Sequence, residues 1–219
     1  MPVMKIKGND ITIDKQTAFR LIDCKMDSPL YEEMELLYEE IYREILSFVK
    51  PMGMIGFAEA AVLFPKDNHE ENGLYAMVLY TLGEKVDCYI SNLFEKGEYL
   101  KGTLADAMAD SCLFAMEEEW KEILLEECGK RKQGIIKRME APVDFSVEVP
   151  KRIWKLLEGE KLGVAMTSGG MFSPVKTLCL LFQLTDDTCQ NNAAHDCSRC
   201  ANIGCKLRNV REKEDRIRS

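Results

Sequence analysis

Near the carboxyl end, "CQNNAAHDCSRCANIGCKLR" carries four thiols, Cys189, Cys197, Cys200 and Cys205, spaced Cys-x7-Cys-x2-Cys-x4-Cys. A Cys-x2-Cys pair sets two thiolates on one tight turn, where a single metal centre can accept both. Gly204 lets the backbone curl back to deliver a third. Four thiolates satisfy either tetrahedral zinc or an iron–sulfur cluster, and His195 can stand in for Cys189 in a mixed zinc site. Arg199, Lys206 and Arg208 would offset the negative charge of such a centre. Free or redox-active thiols are the competing reading. Spacing leaves zinc and iron–sulfur both open.

Other side chains of chemical interest lie upstream. In "TLADAMADSCLFAMEEEWKEILLEECGKRK" the carboxylates Asp106 and Asp110 fall one helical turn apart on one face. Like charges at that spacing cost stability, which a functional partner would explain; a solvated face is the plainer alternative. Arg138 in "KRMEAPVDF" precedes Pro142 in a stretch read as a loop, where a guanidinium can grip a carboxylate; a lone arginine in a loop is more often simply surface. No acid–base pair or nucleophile–base arrangement stands out, and neither His69 nor His195 has a catalytic context. "TSGG" runs into Met171 and lacks the lysine of a phosphate loop.

The background to these residues is acidic and globular. The chain has 219 residues, 46% hydrophobic and 30% charged, with a net charge of −8. That balance excludes disorder and argues against general nucleic-acid binding, because phosphate repels an acidic surface. The segment from Cys197 to Ser219 is a local exception, with 7 Lys/Arg against 3 Asp/Glu. No apolar leader and no run of 18 uncharged apolar residues is present, so a cytoplasmic location without a membrane is expected. Nine cysteines in a reducing compartment point to metal or catalysis where they cluster. Five are scattered (Cys24, Cys88, Cys112, Cys128 and Cys179), and most of these should be small buried hydrophobes.

The elements that must position these groups follow from periodicity. "ITIDKQTAFRLI" reads as an alternating stretch passing into a short helix. "DSPLYEEMELLYEEIYREILSFVKP" reads as a long helix with Ser28 as N-cap and Pro29 at its first position. Leu30, Met34, Leu37, Ile41, Ile45 and Phe48 supply its core-facing stripe. "AAVLF", "LYAMVLYTLG" and "VDCYISNLF" read as strands of an antiparallel meander. A helix from Thr103 to about Gly129 follows, then "VPKRIWKLLEGEKLG" as a short helix. "VAMTSGG" and "KTLCLLFQL" read as strands on either side of "MFSPV". The expected fold is α+β, a bent, mostly antiparallel sheet with flanking helices. Residues 1–188 would form that domain and 189–219 a cysteine-rich metal-binding segment.

Several of these segments together resemble the activation domain of cobalamin-dependent methionine synthase. "ITIDKQTAFRLI" resembles the N-terminal element of stand-alone members, and "TLADAMADSCLFAMEE" is similar to the family's "LADxLAEA" helix. "KRMEAPVDFSVEVPKRIWKLLEGEKLGVAMTSGGMFSPVKTL" resembles its Arg-x-x-Pro-Gly-Tyr loop, a short helix and a "LTESxxMxPxxSVSG" stretch. "CSRCANIGCKLR" looks like the cysteine-rich end of anaerobic bacterial members. The loop's Gly-Tyr is absent, Lys132 stands where an acidic residue is usual, and "FQLTDDTC" offers no late tyrosine. The resemblance implies an S-adenosylmethionine-binding domain that faces a cobalamin domain during cobalt reduction and remethylation. It assigns Asp110 to the cofactor's ammonium and Arg138 to its carboxylate. It further implies an accessory factor for reductive activation of a corrinoid-dependent methyltransferase, the cysteines holding an iron–sulfur cluster or zinc, with cobalamin on the partner. S-adenosylmethionine-dependent remethylation of the corrinoid, or a non-enzymatic corrinoid-protein-binding module with structural zinc, are the alternatives.

Overall fold

Long apolar runs rich in β-branched and aromatic residues pair in the middle of the chain, and amphipathic helices cover both faces of the sheet they make. A computed structural model describes residues 11–65, 73–198, 200 and 202–208, and the backbone of residues 4–7. Strands β1 (Met4–Lys7), β2 (Met52–Glu59), β3 (Leu74–Thr81), β4 (Gly134–Met139) and β7 (Thr177–Thr185) form one sheet. Its order is β1-β2-β3-β7-β4, antiparallel throughout. The last strand thus inserts between the third and fourth. Strands β5 (Ala165–Met166) and β6 (Phe172–Ser173) pair as a small separate hairpin.

Alternate residues of the central strands feed two cores. Ala76, Val78, Tyr80, Leu180 and Phe182 face helices α1 (Lys15–Leu21), α2 (Tyr31–Phe48), α4 (Glu84–Glu95) and α5 (Tyr99–Lys130). Tyr75, Met77, Leu79 and Leu181 face α3 (Ala60–Leu63), α6 (Glu148–Leu156) and the 3-10 turn Gly159–Leu162. The 32-residue α5 is the hub of the first layer. It buries residues around much of its circumference, from Leu104 and Met108 to Trp120 and Cys128, because it packs on the sheet and under α1, α2 and α4 at once. Small residues allow this: a Cβ at Gly102 would meet the Phe94 ring at 3.1 Å.

The expected fold class holds, and several local expectations are corrected. "VDCYISNLF" is helix α4, not a third meander strand. Val86, Ile90 and Leu93 are buried at helical spacing, and Glu84 and Asp87 suit the positive end of its dipole. "AAVLF" is largely the single turn α3, following the strand β2. Helix α2 starts at Tyr31, so Ser28 is not its N-cap; the Ser28 hydroxyl instead accepts from the Lys25 amide at 2.9 Å, and Leu30 is exposed. Helix α5 starts at Tyr99, a turn before Thr103, whose hydroxyl bonds back to the Tyr99 carbonyl. Within "MFSPV", read as the link between two strands, Phe172 and Ser173 form a strand of their own that pairs with "AM" of "VAMTSGG".

Residues beyond β7 run along the outer side of β4, the edge strand. The Ile135 amide donates to the Gln190 carbonyl and the Asn192 amide to the Ile135 carbonyl, both at 3.0 Å, a short parallel bridge. Gly134 is required for it. A Cβ there would stand 2.1 Å from the Asp187 carbonyl oxygen.

Candidate functional site

Asp106 and Asp110 share one face of α5, as their spacing requires, and a single cation answers both. Lys176, the residue before β7, places Nζ 2.8 Å from Asp106 and 2.7 Å from Asp110. Lys176 is 5% exposed. Its backbone is fixed by the Leu82 amide, which donates to its carbonyl, and by Asp87 in the first turn of α4, which accepts from the amides of Val175 and Lys176. Burial alone would lower the Lys176 pKa; attraction to Asp110 and the hydrogen bonds to both aspartates outweigh it and hold the ammonium above the usual lysine range. Burial also lifts the Asp110 carboxyl above the usual aspartate range, against the pull of Lys176. The Lys176 shift favours the charged pair, whereas the upward shift of Asp110 works against it.

Arg138 lies on strand β4 rather than in a loop, with its guanidinium under α5. Nη1 donates to Glu117 Oε1 at 2.5 Å, and Nε donates to Glu140 Oε1 at 2.6 Å, with the arginine side chain only 9% exposed. A register irregularity between Ile135 and Lys137 turns Arg138 to this face while Met139 enters the opposite core. The same Glu140 Oε1 lies 3.1 Å from His195 Nδ1, so one carboxylate oxygen joins strand β4 to the C-terminal segment. Beside this group opens a cleft of about 530 Å³. Ile136, Arg138 and Val143 contribute to one wall, and Asn192, His195 and Cys200 to the other. Lys137 pairs with Asp144 at its rim.

Asp110 and Arg138 are therefore not joined. Each is neutralised by partners of its own, and seven residues of α5, roughly 10 Å of helical rise, separate Asp110 from Glu117. Periodicity pointed to Asp106 and Asp110. It did not reveal Lys176, 66 residues further on, nor Glu117 and Glu140. The signals for the last two were present: Glu117 is two turns from Asp110 on α5, and Glu140 follows Arg138 by two residues, just past the end of β4.

The cysteine segment lies along the edge of the sheet. All nine cysteines are free, with Cys189 exposed and Cys197, Cys200 and Cys205 half-buried. Among the described residues no group of three or more His, Cys, Asp or Glu side chains is placed to hold a metal ion. His195 faces Glu140; Lys206 pairs with Asp23; Arg208 donates to the carbonyls of Cys200 and Asn202 at 2.7 and 3.2 Å, rather than offsetting thiolate charge. His69 and Arg199 lie outside the described residues. Of the scattered cysteines, Cys112 and Cys128 are buried, and burial pushes their thiols up to about 12 and about 11. Cys88 is exposed.

No family model matches the sequence, and no curated protein matches it. Among solved structures, the chain is similar to the MetH reactivation domain in a crystal structure bound to AdoHcy. The TM-score is 0.61 with 13% identity, covering 98% of this chain and 86% of that one. The architecture is thus that of the MetH reactivation domain, an antiparallel sheet with flanking helices, as the sequence motifs implied. No helix among the described residues is long and apolar enough to cross a membrane.

Proposed function

We propose that this chain is an accessory factor in the activation of a corrinoid-dependent methyltransferase, and that it binds an S-adenosyl ligand in the cleft beside Arg138. The observation that carries the reading is the cleft itself: in a chain whose fold spans 98% of its length in common with a reactivation domain bound to AdoHcy, Arg138 lies in the wall of a cavity large enough for such a molecule. Arg138 is an always-charged planar donor suited to a carboxylate. Asp110 is less available, because Lys176 already supplies it with an ammonium. The ligand's amino group must then find another acceptor, and Asp144 lines the cleft. The partner is a cobalamin- or corrinoid-binding protein.

Isothermal titration with S-adenosylmethionine and with S-adenosylhomocysteine tests this. Binding should be measurable with the native chain and weakened at least about tenfold by Arg138→Ala, the cost of losing one charge-assisted contact. Calorimetric silence with the native protein removes the adenosyl ligand from the proposal.

The spacing of Cys189, Cys197, Cys200 and Cys205 supports a second, separable reading, a zinc or iron–sulfur centre formed when the segment adopts another arrangement. Metal and sulfide analysis of protein prepared without oxygen decides it. A brown protein that bleaches on reduction supports a cluster, stoichiometric zinc supports a structural staple, and metal-free protein ends both.

A further inference from the structure

One of the acceptors that hold Arg138 also holds the C-terminal segment at His195. Glu140 Oε1 accepts from Arg138 Nε at 2.6 Å and meets His195 Nδ1 at 3.1 Å. Nearby, the segment is also tied by the bridge at Ile135, by Asn192 Nδ2 donating to the Ile136 carbonyl at 2.9 Å, and by Ala193, buried in the core. Further along, Lys206 pins it to Asp23. At His195, the side of the cleft that Asn192, His195 and Cys200 line is thus attached to the domain through a carboxylate that sits on the arginine inside the same cleft.

We propose that Glu140 is a latch, so that occupation of Arg138 by a ligand carboxylate and attachment of the cysteine segment are alternatives. The reasoning is competition for one donor edge. A carboxylate arriving at Arg138 must displace Glu140 from Nε or share it, and either way one oxygen can no longer serve both Arg138 and His195 in the present geometry. The displaced Glu140 releases His195, and the second wall loosens. Linkage makes the effect reciprocal: whatever draws the segment away from Glu140, including metal capture by its thiols, strengthens carboxylate binding by the same factor. The regulation rests on reading the Arg138 cleft as the ligand site, whereas the latch itself does not.

Hydrogen exchange of the intact chain tests the latch without ligand. Glu140→Ala should raise exchange across residues 189–196 and at Ile135 about fivefold, as loss of one charge-assisted hydrogen bond predicts, while amides of β2 and β3 stay unchanged. His195→Ala, which leaves Arg138 and Glu140 together, should loosen the same residues. Unchanged exchange in either variant overturns the latch, because an effect confined to Glu140→Ala would belong to Arg138 alone. The ligand arm uses S-adenosylhomocysteine. It should bind more tightly to Glu140→Ala than to the native chain, and raise exchange at 189–196 in the native chain. Binding seen by calorimetry with no such rise overturns the coupling. If neither protein binds the probe, the adenosyl reading fails, and the exchange of the two variants still decides the latch.

Discussion

Lys176 shows how much of the candidate site depends on single charges. Its ammonium satisfies two aspartates at once from a nearly dry position, so its removal leaves Asp110 part-buried and unpaired. Lys176→Met should cost roughly 1–3 kcal/mol at pH 7, read as a lower midpoint in urea. The loss should shrink on acidification. The folded-state pKa of Asp110 already lies above its unfolded value and rises further once the ammonium is gone. A carboxyl with a raised folded pKa binds its proton more tightly when folded, and so loses stability as pH climbs through the interval between the two values. The variant should come closest to the native protein near pH 4; an equal deficit at pH 4 and pH 7 would contradict this account. In the native chain the raised Lys176 pKa preserves its contribution below the ordinary lysine range, and that contribution disappears only in strong alkali. At this scale the sequence was half legible. Helical spacing put Asp106 and Asp110 together, but no local pattern announces a lysine 66 residues away as their counter-ion.

Among the elements, β4 carries the greatest functional load: it presents Arg138 inward and receives the C-terminal segment on its open edge. Gly134→Ala should cost on the order of 3 kcal/mol, since the new methyl would strike a backbone carbonyl that has no rotamer to escape through. It should also detach residues 190–192, visible as faster exchange at Asn192. Stability within about 0.5 kcal/mol of native would show that the segment yields easily, contrary to the contacts described. Helix α5 was legible because its periodicity runs for many turns. Helix α4 was not, because "VDCYISNLF" mixes β-prone residues with an apolar spacing that suits a helix, and burial on one face settled the competition. The cysteine segment is a case of another kind. Its spacing describes what the thiols could chelate; the contacts of its neighbours with Glu140, Ile136 and Asp23 determine where the chain lies.

Across the molecule, one sheet serves two cores, and the chain's two tryptophans report on them separately. Trp120 packs between Tyr80 and Phe182 on the α5 side, while Trp154 lies in the α6 layer and donates to the Val164 carbonyl at 2.7 Å. Since both cores share β3 and β7, they should melt together. In Trp120→Phe and in Trp154→Phe, the remaining fluorophore and far-ultraviolet circular dichroism should give coincident urea midpoints; separated midpoints in either variant would mean the layers unfold independently. The order of helices and strands could be read along the chain, but the pairing of β7 between β3 and β4 could not, since long-range partners leave no trace in local periodicity. That insertion also constrains synthesis. Until Thr177–Thr185 leave the ribosome, β3 and β4 have no common neighbour, and each offers a bare row of amides to any passing chain. A nascent polypeptide stalled shortly before that point is therefore the form in which a chaperone has most to protect.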